Sequence, residues 1–147
     1  MTASLADQPT LTVARLLRSL ELTPATELTL PHYRVLGLLS AGDERASALA
    51  ERLAVSRPTV TALVDSLVER GLVVREVAAD DRRAVRLSIT DAGRRAVAAT
   101  GQALRATLDD IVARCADPDV VRAALDQLTP ALDAWWSERI AAKAAGR

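Results

Sequence analysis

A chain of 147 residues, half of them apolar, can bury one sizeable core and makes one domain or two small ones that share it. Basic and acidic residues balance at 19 each, so the chain as a whole has no net field to draw it to nucleic acid or to an acidic surface. A lone cysteine, Cys115, excludes an intrachain disulfide framework. No stretch approaches the roughly 20 apolar residues of a membrane span, and MTASLADQPTLT lacks the order of an export signal, so a soluble cytoplasmic protein is expected.

The charge is less even than its sum. From Glu44 to Arg95 ten arginines meet eight acids, whereas Asp109 to Asp133 holds six acids and two arginines. Such asymmetry suits one part turned toward phosphates and another toward water or a partner. Lys143 is the only lysine, a bias that a GC-rich genome would produce unaided.

A first helix is expected within 7–21 on the spacing of Val13, Leu16, Leu17 and Leu20, with Pro24 breaking the chain after it. LTLPHYRVLGLLSAG reads as a second helix. Thr29 stands at its N-cap, Pro31 in the first turn where a missing N–H costs nothing, and Gly42 at its end. The polar GDERA is expected to be a short connection. Ser47 then caps a brief helix, ALAERL, AVS turns the chain, and Ser56 caps a longer helix over 57–70, ended by Gly71. In that helix Val60, Leu63, Val64 and Leu67 form one apolar stripe, which leaves Arg57, Pro58, Thr59, Thr61 and Ala62 outside.

LVVREV and AVRLSI are strand-like and AADDRR joins them, so a hairpin is expected. From Ala84 onward Val85, Leu87 and Ile89 alternate with Arg86 and Ser88, the pattern of a strand with one buried face. Two short helices, a turn between them and a hairpin behind make a winged helix-turn-helix. Thr90 caps the next helix, with Asp91 complementing the dipole. Along it Val97, Gly101, Leu104, Leu108, Ile111 and Cys115 recur at heptad-like spacing, and after Asp117 and Pro118 so do Val121, Leu125, Leu128, Leu132 and Trp135. Pro130 should kink the last helix or split it, with Thr129 capping the second piece.

These two helices carry more apolar surface than a small winged helix can cover. A helical dimer interface built with the first helix accounts for them better than packing within the chain. Its candidates are Leu16, Leu20, Leu104, Leu108, Ile111, Leu125, Leu128, Leu132 and Trp135. The expected class is mainly α with a small β-hairpin: a winged helix-turn-helix at 29–90, and dimerisation helices from 1–28 and 91–147.

The stretch from LTLPHYRVLGLLSAG through ASALAERLAVSRPTVTALVDSLVERGLVVREVAADDRRAVRLSITDAGRRAV, roughly residues 28–97, resembles the MarR family of bacterial transcription regulators. Its most specific pieces are SRPTVTALVDSLVERGLV and Asp-x-Arg followed by a strand ending in LSITDAG. The resemblance implies a cytoplasmic homodimer that binds a pseudo-palindromic double-stranded operator, as a repressor or less often an activator, with no cofactor. It also implies a small-molecule effector, often aromatic or anionic, held between the winged helix and the dimer helices. Two-fold symmetry would space the half-sites about 10 base pairs apart.

By the same resemblance, Arg83 matches the arginine that enters a minor groove, where the potential is negative, and Asp81 the acid that orients it. Arg82 would reach phosphate or groove edge, and the wing would span 77–83. On the reading helix Ser56 serves as cap and near-phosphate donor. Arg57, Thr59 and Thr61 touch phosphate or base edges, and Pro58 fills groove surface. Ser47 joins this set from the preceding helix. The chain also departs from the pattern. Relatives often carry basic residues at the positions of Ala62 and Ser66, and each lost phosphate contact takes about 0.9 from the salt slope per half-site. His32 stands where glutamine would complete a capping box with Thr29.

No enzyme is expected. One histidine and one cysteine far apart, with no glycine-rich phosphate loop, assemble neither a nucleophile–base pair nor a metal site. The alternative is a winged helix used as a protein-interaction module without specific DNA binding. A thiol-oxidation sensor through Cys115 is a minor one, because an apolar stripe late in the fifth helix is the setting of an inert thiol. Tyr33, Trp135 and Trp136 are candidates to line an aromatic pocket, with packing at the dimer end the stronger expectation for the tryptophans.

Overall fold

The computed structural model describes residues 8–24, 26–78 and 81–145, leaving out the side chains at 78, 81–84, 143 and 144. The elements run α1 (Pro9–Glu21), α2 (Leu30–Ala41), β1 (Glu44–Arg45), α3 (Ala46–Leu53), α4 (Arg57–Glu69), β2 (Val73–Ala78), β3 (Asp81–Ile89), α5 (Asp91–Val112) and α6 (Pro118–Ala145). The three strands form one antiparallel sheet in the order β1-β3-β2.

One core joins α2, α3, α4 and the sheet. Val35, Leu36 and Leu39 of α2 meet Leu49 of α3, Val60, Val64 and Leu67 of α4, and Val73 and Leu87 of the strands, all almost wholly removed from water. Burial of this kind, about 25 cal/mol per Å² of apolar surface, is what holds the helix-turn-helix and its sheet together. The α3–α4 turn is made by Ala54, in the left-handed region at φ 54°, and the α4–β2 turn by Gly71 at φ 70°. Only glycine takes the second without strain from a side chain.

Local chemistry departs from expectation at four places. GDERA is more than a connection, since Glu44 and Arg45 pair with Leu87 and Arg86 as a third strand. Two residues are too few to show a period, and the free edge of β3 supplies the pairing. Ser47 is not the cap of α3. Arg45, already extended in β1, holds the N-cap position, and Ser47 is the second residue of a helix that has no side-chain cap bond. Strand β3 begins at Asp81 rather than Ala84. Val77 pairs with Val85 but Ala78 with Asp81, so three residues, 82–84, stand outside the register. Cys115 lies beyond the end of α5, exposed, instead of on its stripe.

Pro130 does not split α6, which runs unbroken from Pro118 to Ala145. The carbonyl that proline deprives of a donor belongs to Asp126, and both residues are exposed, so water can serve it.

The long helices are only partly committed to this core. α5 faces inward with Gly93, Ala96 and Thr100, and at its far end Val112, while Leu104, Leu108 and Ile111 are half-buried. α1 buries no residue. Val13 and Leu17 of α1 and Val120, Leu128, Leu132 and Trp135 of α6 stand open, each with about half or more of its surface exposed.

Candidate nucleic-acid interface

The α3–α4 unit presents one end of α4 to solvent. Ser56 caps it, its Oγ accepting from the Thr59 backbone N–H at 3.3 Å and lying 2.7 Å from Thr59 Oγ1. Thr61 Oγ1 donates to the Arg57 carbonyl at 3.0 Å. While Val60, Val64 and Leu67 are buried, Ser56, Arg57, Pro58, Thr59, Thr61 and Ala62 are all exposed. The hydroxyls keep free lone pairs, and Arg57 has no ion pair among the described residues. The helix start is therefore a polar, donor-rich surface backed by a rigid apolar stripe.

Ser47 is also exposed, on α3, at a different helix from that cluster. Asp80 lies outside the described residues, as do the side chains of Asp81, Arg82 and Arg83. The backbone of 81–83 belongs to β3. Two ion pairs were not foreseen. Arg52 of α3 holds Glu44 of β1, and Arg75 of β2 holds Asp65 of α4. Each joins residues eight or more apart in different elements, beyond the reach of any local pattern.

At the other end of the winged helix, Thr29 holds the N-cap of α2, but its hydroxyl meets His32 Nδ1 at 2.7 Å rather than a backbone N–H. His32 Nε2 is buried with no partner among the described residues. Burial, and then the Arg70 guanidinium, push the His32 pKa below its ordinary value. Arg70 is fixed there by donating to the Glu27 carbonyl at 2.8 Å.

Among the described residues, at least three clefts separate the winged helix from the long helices or lie between those helices. One of about 630 Å³, between α2, α3 and α6, is lined by Tyr33, Arg34, Arg52 and Trp136 among others. Another of about 460 Å³ includes Arg18, Thr29 and Leu104. The third, about 330 Å³ and mostly apolar, brings Leu16, Leu108, Ile111, Cys115 and Leu125 together. Tyr33 and Trp136 thus share a cleft. Trp135 stands outside it, edge-on to Trp136 at 4.8 Å and covered by Arg139 at 4.7 Å. Among the described residues no cluster of His, Cys, Asp or Glu could hold a metal ion, and no helix is long and apolar enough to cross a membrane.

A sequence profile of the MarR family matches residues 27–84, the whole span from the α2 entry to the wing. This winged helix-turn-helix belongs to the MarR family. The chain is 37% identical over 68 residues to the uncharacterized HTH-type transcriptional regulator YpoP of Bacillus subtilis, covering 46% of this chain and 48% of that protein. It spans about half the length of the curated relatives it matches. Likeness to solved MarR-type structures reaches further. The transcriptional repressor CouR bound to a 23-mer DNA duplex is 27% identical at a TM-score of 0.73, with 88% of this chain and 92% of that chain covered. The PcaV regulator of Streptomyces coelicolor, in complex with its natural ligand, is 27% identical at 0.69, with 91% and 98% covered. Both likenesses extend over the long helices as well as the winged helix.

Proposed function

We propose that this MarR-family chain is a cytoplasmic homodimeric transcription regulator, a repressor that binds a pseudo-palindromic operator and is released by a small molecule. The observation that carries the reading is the start of α4, where Ser56, Arg57, Pro58, Thr59 and Thr61 are exposed together above a buried stripe. A helix so built fits a major groove, its N-terminal N–H groups and hydroxyls toward phosphate and its Arg57 toward phosphate or guanine. Arg83, with Asp81 orienting it and Arg82 beside it, takes the neighbouring minor groove, and Ser47 adds a contact from α3. CouR, bound to DNA, and PcaV, bound to its ligand, support the two halves of this reading.

Dimerism rests on the open apolar faces of α1 and α6. A monomer would leave Val13, Leu17, Leu128, Leu132 and Trp135 about half or more exposed, and large apolar side chains open to water on helix faces suit an association surface. Leu16, Leu20, Leu104, Leu108, Ile111 and Leu125 extend that face. The cleft between α2, α3 and α6 joins the reading head to a dimer helix, so a ligand there alters the spacing of the two heads. Its Tyr33 and Trp136 suit a flat molecule, and Arg34 an anionic one.

The test is fluorescence-anisotropy binding of the full chain to its own upstream intergenic DNA, wild type beside Arg83→Ala, across a salt series. Selective binding with a steep slope, flattened in the variant, supports the regulator. Binding no better than to random DNA, in a dimer that captures no DNA at low salt, supports the protein-interaction module instead.

A further inference from the structure

Asp65 stands four residues after Thr61 and eight after Arg57, so helical periodicity sets all three on one side of α4. Its carboxylate is held by the guanidinium of Arg75, which arrives from β2. Both side chains stay open, 55% for Asp65 and 42% for Arg75. The pair thus bridges the reading helix and the base of the wing on the outer surface. Arginine has five N–H donors in a fixed fork, and the contact with Asp65 occupies only part of it.

When a helix fills a major groove and a wing the next minor groove, the ridge between them is a phosphate backbone. A lone carboxylate facing that ridge repels it, whereas a guanidinium faces it favourably. We propose that Arg75, oriented by Asp65, is a phosphate contact of this chain on the ridge between the two grooves. The proposal rests on the DNA-binding reading above and deepens it. It also answers the departure at Ala62 and Ser66, uncharged positions three before and one after Asp65 on α4. The cation that the helix itself lacks there is delivered from β2. Asp65 is a positioning residue; Arg75 makes the contact.

The probe is a random-sequence duplex of about 30 base pairs, because a phosphate contact is independent of sequence. Anisotropy is read between about 50 and 200 mM salt for wild type, Arg75→Ala, Asp65→Ala and Asp65→Ala/Arg75→Ala. Arg75→Ala should bind more weakly and lose about 0.9 of the salt slope per half-site. The double variant has the wild-type net charge and should keep the flattened slope. Asp65→Ala should bind more weakly in spite of its added positive charge, because Arg75 is no longer oriented. Thermal midpoints should stay close to wild type, since an exposed pair adds little stability.

A wild-type slope in Arg75→Ala, or its recovery in the double variant, overturns the contact. Tighter binding by Asp65→Ala overturns the positioning role. A wild type that shows no salt-dependent binding fails the regulator reading itself, and this contact with it. A sloped wild type beside an unaffected Arg75→Ala fails this contact alone.

Discussion

Thr90 Oγ1 donates to the Gly71 carbonyl at 2.8 Å while accepting from the Gly93 backbone N–H at 3.0 Å. One hydroxyl therefore caps α5 and ties it to the turn where α4 enters β2, and the Thr90 backbone N–H adds a bond to the Leu72 carbonyl at 3.1 Å. This joint is where a long helix meets the reading head. Thr90→Val keeps the shape and removes both hydroxyl bonds. The expected cost is about 1–2 kcal/mol, read from urea denaturation of the protein. A midpoint equal to wild type would mean that water replaces both bonds without loss.

Gly93 sits in the first turn of α5 against the same turn. A Cβ there would fall inside contact distance of the Leu72 carbonyl oxygen and 2.7 Å from Ile89 Cγ1. The first neighbour is backbone and cannot swing aside. Gly93→Ala should therefore destabilise by about 1–3 kcal/mol in spite of the better helix propensity of alanine. Gly37, exposed within α2, is the control, since nothing lies within 4 Å of an added Cβ. Gly37→Ala should stabilise by about 0.5–1 kcal/mol. Thermal denaturation of both variants checks the opposite signs.

The LSITDAG stretch was legible for a physical reason: its cap, Thr90, and the acid at the helix dipole, Asp91, act through neighbouring positions of the chain. The α4 stripe and the Ser56 cap were legible on the same grounds. What could not be read lies between distant elements. Strand β1 exists because β3 has a free edge, and the Arg75–Asp65 pair because β2 runs beside α4. Neither leaves a period in the sequence. The α5 heptad stripe is half-buried at Leu104, Leu108 and Ile111, whereas the side that meets the core is Gly93, Ala96 and Thr100, small residues that hydrophobic counting passes over. Cys115 was set on that stripe because the pattern continued past Val112, where the helix had already ended.

His32 makes stability depend on pH in a defined sense. Its folded pKa is lowered, first by burial and then by Arg70, so the folded state disfavours the imidazolium. The unfolded chain binds the proton more readily, with a pKa near 6.5. Stability from this group is present above that value and is lost as pH falls through it toward the folded pKa. Its Nδ1 lies 2.7 Å from the Thr29 hydroxyl, which can donate to a bare ring nitrogen or accept from a protonated one. Denaturant midpoints from pH 8 to 5 should fall less in His32→Gln, which keeps a side-chain partner for Thr29, than in wild type. Parallel curves would show that His32 titrates alike in both states.

The apolar face of α6 gives the most direct test of assembly. Leu128 and Leu132 are each 52% exposed within one chain, four residues apart on one side of the helix. In a monomer, a charge at such a position changes stability by no more than about 0.5 kcal/mol. In a closed two-fold interface the same change buries an unpaired carboxylate twice, once from each protomer, at several kcal/mol. Leu128→Asp should therefore shift the dimer toward monomer in sedimentation equilibrium by well over tenfold. Because α1 and α6 bury almost nothing within their own chain, the winged helix should keep its helical circular dichroism after the helices separate. A variant with wild-type mass at low concentration would move the dimer surface off α6, and leave α1 and the half-buried stripe of α5 to supply it.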